Sequence, residues 1–252
     1  MTTIAVGTVK GGIGATATAL ALAAALAEAK PTLLVEADPS GGSLAGTCPR
    51  LAPAPTLEAM MTERRTRATL DQLLECTQRL GEVLVAPCPA EPFRAQLIVG
   101  QPRSPWLDTL RDVDGHVVCD VGRVHPASPS WPVLHAAEVV LLVTGAAPMG
   151  VAATVEWAEQ LGRVAPDMEG LATDSVRIAV LAPPGAGRNG APPAALVAEL
   201  GHRIAGHLPW DPASLDLLQR GASLRHRSLR RSGLAGAARA LATTLASPVA
   251  TR

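Results

Sequence analysis

Short apolar runs alternate with helix-like segments along most of the chain. The runs are continuously apolar rather than alternating, which is typical of strands covered on both faces of a parallel sheet. They predict strands over 3–8, 32–37, 82–86, 116–121, 138–144, 176–182 and 205–208. The segments between them predict helices over 15–29, 69–79, 92–100, 104–112, 149–164, 192–204, 212–220 and 234–246. This alternation implies right-handed crossovers and an α/β fold with a doubly wound, mostly parallel sheet that carries helices on both faces.

Nothing in the sequence divides the chain into separate units. The 252 residues suit one large α/β domain, and no internal repeat is visible. Two stretches read as loops: 47–56, rich in Pro and Ala, and 183–193, with the sequence PPGAGRNGAPP. Both are too short to separate independent domains, so we expect residues 1–252 to form a single domain.

Composition limits the possible partners and compartments. The net charge is zero, so only a local patch could attract nucleic acid or a membrane surface. The four cysteines show no C-x-x-C pair and no zinc-like spacing, which is typical of reduced thiols in a cytoplasmic protein. The apolar run 13–27 imitates a secretory signal, but it is mostly alanine and follows a strand-like stretch. No other stretch is long and apolar enough to span a bilayer, so we expect a cytoplasmic protein without a membrane span.

The segment VGTVKGGIGATATAL, residues 6–20, joins the first predicted strand to the first predicted helix, as a phosphate-binding loop does. Gly11, Gly12 and Gly14 allow the backbone to turn several N–H groups toward one anion, and the positive end of the following helix adds to the attraction. The hydroxyl of Thr16 stands where it would hold Mg²⁺. The alternative is a glycine turn that only packs the helix onto the strand, with its lysine solvated.

Four segments together carry a family resemblance. KGGIGAT (10–16) resembles the deviant phosphate loop K-G-G-x-G-K-[ST] of the ParA/MinD family of partitioning and positioning ATPases. LLVEADPSGGSLA (33–45) resembles the family's second strand and switch I, and HVVCDVGR (116–123) its Walker B strand and switch II. GHLPWDPASLDLLQRG (206–221) resembles its late segment. The resemblance implies a deviant Walker A P-loop NTPase fold in which residues 1–252 form one nucleotide-binding domain.

The resemblance also implies roles for individual residues. Lys10 would reach across a nucleotide-sandwich homodimer to the phosphates held by the partner subunit, and Asp38 would orient the attacking water. Asp120 would hold Mg²⁺ together with Thr16. From the residues alone, Asp38 is also explained as the first residue of an Asp-Pro turn, and Asp120 as a helix or loop cap. The residues implied to bind ATP are Gly11, Gly12, Ile13, Gly14, Ala15, Thr16, Ala17 and, near the adenine base, Pro209 and Asp211.

The chain departs from the family at Ala15, where the loop lysine would stand. Losing one charge-assisted phosphate contact costs about 1.5–3 kcal/mol, or about one to two orders of magnitude in affinity. Catalysis should lose more, because charge develops on the transferred phosphoryl group. Lys10 of the partner could replace part of that charge. Glu36 stands where the family has the first switch I aspartate, and it could be only a solvated carboxylate at the end of a strand. Arg123 could bind either a phosphate group or a partner protein.

The G-A-T loop and the D-x-G-R sequence look most like the CpaE/TadZ branch, whose members localise pilus or secretion machinery. We therefore expect a nucleotide-dependent dimeric switch with weak or absent ATPase activity, which positions a cellular machine through a protein partner. One alternative is an active partition-type ATPase that binds DNA nonspecifically, and another is a nucleotide-free scaffold. DNA would bind through a cluster of arginines, which could grip phosphates without reading the base sequence. The same cluster is also explained as a solvated surface or as a protein-docking surface. Its members are Arg220, Arg225, Arg227, Arg230 and Arg231.

Overall fold

The computed structural model describes residues 2–12, 14–61, 68–101, 104–164, 175–185 and 194–246. Within these ranges eight strands form one sheet. The strands are β1 (Thr2–Thr8), β2 (Thr32–Glu36), β3 (Gln78–Leu80), β4 (Val83–Ala86), β5 (His116–Arg123), β6 (Val139–Gly145), β7 (Val176–Leu181) and β8 (Ile204–Leu208). Their order across the sheet is β3-β4-β2-β5-β1-β6-β7-β8, and the pairs are parallel apart from the antiparallel pair β3–β4.

Helices connect the parallel strands. They are α1 (Ala15–Leu26), α2 (Leu44–Thr47), α3 (Leu70–Glu75), α4 (Pro92–Val99), α5 (Pro105–Thr109), α6 (Trp131–Ala136), α7 (Pro148–Val164), α8 (Ala194–Leu200), α9 (Pro212–Gln219) and α10 (Gly233–Ala246). Short 3-10 turns cover Leu57–Met61, Leu110–Asp112 and Gly201–Arg203. None of the helices in the described ranges is long and apolar enough to cross a bilayer.

Both faces of the sheet are covered, and β1 shows this residue by residue. Ile4 and Val6 lie in the apolar cluster that includes α1 and α10, whereas Ala5 lies in the cluster that includes α4 and α5. Successive side chains of a strand point to opposite faces, so the two clusters sandwich the sheet. This arrangement explains why the strands read as continuous apolar runs, and it confirms the predicted doubly wound α/β fold.

The seven predicted strands are present, with ends that differ by at most two residues, and the structure adds the edge strand β3. The predicted helix 69–79 ends at Glu75, because residues 78–80 pair with β4 instead. The predicted helix 192–204 is α8, followed by a 3-10 turn, and its first two residues lie outside the described ranges. The two short helices α2 and α6 were not predicted, since four to six residues are too few for a helical period to show.

The four cysteines, Cys48, Cys76, Cys88 and Cys119, are all buried and unpaired. Burial raises the pKa of each thiol, to about 12 for Cys88 and Cys119. Thiols with a raised pKa are poor nucleophiles, because the thiolate is the reactive form. The cysteines therefore belong to the core rather than to a reactive site.

Candidate nucleotide-binding site

The glycine loop lies between the end of β1 and the start of α1, at the carboxyl ends of the central strands. Gly12 and Gly14 have φ values of +77° and +92°, which favour glycine, and Gly14 is the N-cap of α1. The Thr8 hydroxyl donates a hydrogen bond of 2.6 Å to the Lys10 carbonyl and closes the first turn of the loop. Ile13 lies outside the described residues.

The backbone amides of the loop are available to a ligand. Among the described residues, no acceptor meets the N–H groups of Gly11, Gly12, Gly14, Ala15 or Thr16. The first internal bond of the helix is donated by Thr18 N to the Gly14 carbonyl at 2.9 Å. Unpaired N–H groups at a helix N-terminus favour an anion. The described part of the loop thus presents N–H groups without partners at the start of α1, and phosphate binding there stays a prediction.

Thr16 and Asp120, the two predicted Mg²⁺ ligands, are brought together. The Thr16 hydroxyl lies close enough to the Asp120 carboxylate to lower its pKa, and that carboxylate accepts the Gly122 N–H at 3.2 Å. Asp120 is only 1% exposed, and burial raises its pKa to about 7, with smaller contributions from the nearby Glu36 and Asp38 carboxylates. Asp120 caps no helix, because β5 continues past it to Arg123.

This donor set fits Mg²⁺. A hydroxyl and a carboxylate supply the hard oxygen ligands that the ion prefers, and Mg²⁺ commonly takes one or two carboxylates together with substrate phosphates. The carboxylate is buried beside other acidic groups, so a divalent cation would offset an unfavourable concentration of negative charge. Bound there, Mg²⁺ would neutralise phosphate charge next to the loop.

Glu36 is not the solvated carboxylate that the sequence left possible, since it is 1% exposed. One carboxylate oxygen, Oε1, accepts the N–H groups of Ser43 at 2.5 Å and Leu44 at 2.8 Å. The other oxygen, Oε2, accepts the N–H of Cys88 at 3.2 Å. Burial raises the pKa of Glu36, and these hydrogen bonds counter part of that rise. Glu36 therefore holds residues 38–45, here called the switch I segment, against the loop after β4.

Asp38 lies at the start of the switch I segment and is half-buried. Its Oδ1 accepts the Ser40 N–H at 2.7 Å, which is the Asp-Pro turn geometry expected from its sequence. Its carboxylate also lies against Gly122, whose φ is +62°. The turn and a place beside the site are thus compatible, and the structure has both.

Two cations lie beside the loop. Lys10 is half-buried and forms no ion pair within the described part of the chain. Arg123 is exposed, and its Nε donates to the Val9 carbonyl at 3.3 Å. Its Cδ atom lies 3.9 Å from the point where a Cβ of Gly11 would stand.

Pro209 and Asp211 line a cleft of about 80 Å³ beside the loop residues Gly14 and Ala17. Asp211 also caps α9, because its Oδ1 accepts the Ser214 N–H at 3.1 Å. Trp210, between these two residues, lines the same cleft and is 53% exposed. The sequence reasoning passed over Trp210, although a tryptophan inside the late family segment was a signal that could have found it.

The arginine cluster is partly neutralised. Arg220 pairs with Asp216 at 2.8 Å, and Arg225 donates to the Glu28 carbonyl at 2.6 Å. The region between α9 and α10 consists of turns rather than a helix. The cluster therefore presents fewer free cations than its sequence predicted. Three other members of the cluster are exposed, whether or not they have partners, namely Arg227, Arg230 and Arg231.

No protein-family model matches the chain, and no curated protein matches it significantly. Solved structures match almost all of it. The cell division ATPase MinD of Pyrococcus furiosus is 18% identical with a TM-score of 0.71, over 97% of this chain and 98% of that one. A ParA family ATPase from Chlorobium tepidum is 17% identical with a TM-score of 0.71, over 96% and 97%.

The septum site-determining protein MinD of Pyrococcus horikoshii, complexed with Mg-ADP, is 18% identical with a TM-score of 0.71, over 96% of this chain and 94% of that one. Identities this low establish a shared fold and leave the activity open. The chain therefore has the α/β fold of the MinD and ParA P-loop ATPases.

Proposed function

We propose that the chain is a nucleotide-dependent dimeric switch of the ParA/MinD type, with residues 1–252 acting as one domain. It binds ATP with Mg²⁺ and hydrolyses it slowly or not at all. The observation that carries this proposal is the juxtaposition of loop amides that have no partner among the described residues with the neighbouring oxygen groups of Thr16 and Asp120. The amides suit a triphosphate and the oxygen pair suits its metal ion.

Slow hydrolysis follows from Ala15. Its methyl group is 7% exposed in the first turn of α1 and offers no charge to the transferred phosphate. Ground-state binding keeps the amides and Mg²⁺, whereas the transition state needs additional positive charge. A protein of this kind would use bound ATP to change its assembly state rather than as a fuel for rapid turnover.

Dimerisation would come from Lys10, which is near the loop and unpaired within the described residues. In the proposed sandwich it contacts the phosphates of the partner subunit. The output would be the positioning or assembly of a pilus, secretion or similar machine in the cytoplasm, as in the CpaE/TadZ branch, through a protein partner. The MinD neighbours, described as a cell division ATPase and a septum site-determining protein, support a positioning role.

The test is a calorimetric titration with ATP and Mg²⁺, read together with molecular mass by light scattering. The expected result is saturable binding and a shift from monomer to dimer. Absence of binding at millimolar ATP would favour a nucleotide-free scaffold and overturn the proposal. Phosphate release is then measured with and without DNA, and fast, DNA-stimulated release would point instead to an active partition-type ATPase.

A further inference from the structure

We propose that Arg123 binds the phosphate groups of the nucleotide within the same subunit and supplies the positive charge that Ala15 lacks. This inference rests on the proposed nucleotide site and adds a residue to it. Arg123 is far from the loop in sequence, and the contact between them depends on how β5 pairs with β1.

The backbone brings Arg123 to the loop. β5 continues past Asp120, and Arg123 stands opposite Thr8, the last residue of β1. The following residue, Val124, donates its N–H to the Thr8 carbonyl at 2.8 Å. A register shift between Val6 and Gly7 precedes this pairing, and such irregularities re-aim the side chains that follow them. The arginine is therefore held level with the first residues of the glycine loop.

The side chain then runs along the loop. The Nε donates to the Val9 carbonyl at 3.3 Å, and the Cδ atom passes 3.9 Å from the Cβ position of Gly11. Within the described residues, the remaining N–H groups of the guanidinium have no partner and the side chain forms no ion pair. A guanidinium can bind phosphate oxygens with two parallel hydrogen bonds, so this side chain needs only a short movement from Val9 to a bound anion.

The charges around the site favour such a cation in addition to Mg²⁺. Glu36, Asp38 and Asp120 place three carboxyl groups beside the loop, which disfavours a triphosphate that arrives without compensating charge. In the proposed sandwich, Lys10 contacts the phosphates of the partner subunit, so it offsets phosphate charge only after a dimer forms. Arg225 and Arg239, by contrast, are already engaged by Glu28. Arg123, which lies beside the loop, is therefore placed to receive ATP in the monomer.

The experiment measures ATP·Mg²⁺ affinity at a protein concentration where light scattering shows the parent to be monomeric before titration. Arg123→Ala should weaken ATP binding by about tenfold or more, and Arg123→Lys should keep part of the affinity. The loss should grow from AMP to ADP to ATP, because the guanidinium meets phosphate and not the base. Arg111→Ala is the matched control, since Arg111 is an exposed arginine on the 3-10 turn before β5 and should have no effect.

A rescue variant separates phosphate binding from a structural role. Ala15→Lys supplies a cation from the first residue of α1, so Arg123→Ala/Ala15→Lys should recover the ATP affinity lost in Arg123→Ala. If the parent binds ATP and Arg123→Ala binds it equally well, this inference is wrong while the proposed function stands. An equal loss for AMP and ATP, or a loss that Ala15→Lys does not restore, would also overturn it. If the parent binds no ATP, the proposed function itself fails.

Discussion

The Asp38 carboxylate lies directly against the Cα atom of Gly122, so the switch I segment touches the strand that carries Asp120. Glycine is required there for two reasons. Its φ of +62° is unfavourable for other residues, and a Cβ would overlap the Asp38 carboxylate. The position of Asp38 beside the candidate site therefore depends on the absence of a side chain two residues after Asp120.

Gly122→Ala should destabilise the protein by about 1–3 kcal/mol in urea unfolding, because it introduces both backbone strain and overlap. The control is Gly236→Ala, at an exposed position of α10 where a Cβ would meet nothing within 4 Å and φ is not positive. That change should be neutral or stabilising by up to about 1 kcal/mol. Adding Asp38→Ala to Gly122→Ala should recover the part of the lost unfolding free energy that comes from overlap with the carboxylate. The part that comes from backbone strain should remain. Equal stability of Gly122→Ala and the parent would contradict the observed packing.

Thr16→Val should abolish most of the effect of Mg²⁺ on ATP affinity. The change keeps the shape of the side chain and removes the hydroxyl that lies beside Asp120. ATP binding in excess EDTA, which depends on the loop amides, should stay within about twofold of the parent. Calorimetry with and without Mg²⁺ measures both. Thr244→Val is the control, since Thr244 is exposed on α10 and its hydroxyl donates to the Ala240 carbonyl of the same helix. A Mg²⁺ effect that survives in Thr16→Val would remove Thr16 from the metal site.

Lys10→Ala should bind ATP as a monomer almost as well as the parent but should fail to dimerise on ATP, because its ammonium acts on the partner subunit's phosphates. Molecular mass during an ATP titration is the readout. The chain provides a matched control in its other lysine, the exposed Lys30 at the far end of α1. Lys30→Ala should dimerise like the parent. Dimerisation of Lys10→Ala at parental ATP concentrations would rule out the trans contact.

Arg239→Ala should destabilise the protein by about 1–2 kcal/mol near neutral pH. Arg239 joins α10 to the end of α1 through Nε and Nη2, which donate to Glu28 at 2.7 and 2.8 Å. The arginine lowers the pKa of Glu28 below 4.5, so the folded state favours the carboxylate. The stabilisation is therefore fully present above pH 4.5 and is lost as the pH falls through the lowered pKa.

Urea unfolding of parent and Arg239→Ala across this pH range measures the effect, and the difference between them should shrink at the acidic end. Arg220→Ala is the comparison, because Arg220 and Asp216 are exposed to solvent at 63% and 53% and their pair is screened. It should change stability little at any pH. A difference for Arg239→Ala that is independent of pH would mean that packing, or the hydrogen bonds from Arg239 to the Leu224 and Arg230 carbonyls, stabilises the fold rather than the ion pair.

The elements that were predicted correctly are those whose structure is determined by their own residues. Strands buried on both faces of a parallel sheet contain continuous apolar runs, so β1, β5 and β6 could be predicted without knowing their neighbours. The glycines of the loop have a local cause too, since positive φ at Gly12 and Gly14 favours glycine. The edge strand β3 was missed for the opposite reason. Its three residues have no pattern of their own, and they form a strand only because β4 lies alongside.

The sequence by itself determined the order of strands and helices along the chain and the doubly wound class of fold. It also determined the glycine loop and the absence of a lysine at position 15, where Ala15 stands. Only the tertiary structure decided which polar groups meet around that loop. Parallel register places Glu36 beside Asp120 and Arg123 beside Thr8, although the residues of each pair are far apart in the chain. Glu36 is buried there, and its carboxylate accepts backbone hydrogen bonds from the switch I segment and from Cys88 instead of being solvated. Such contacts depend on pairing between distant strands, which local composition and periodicity do not encode.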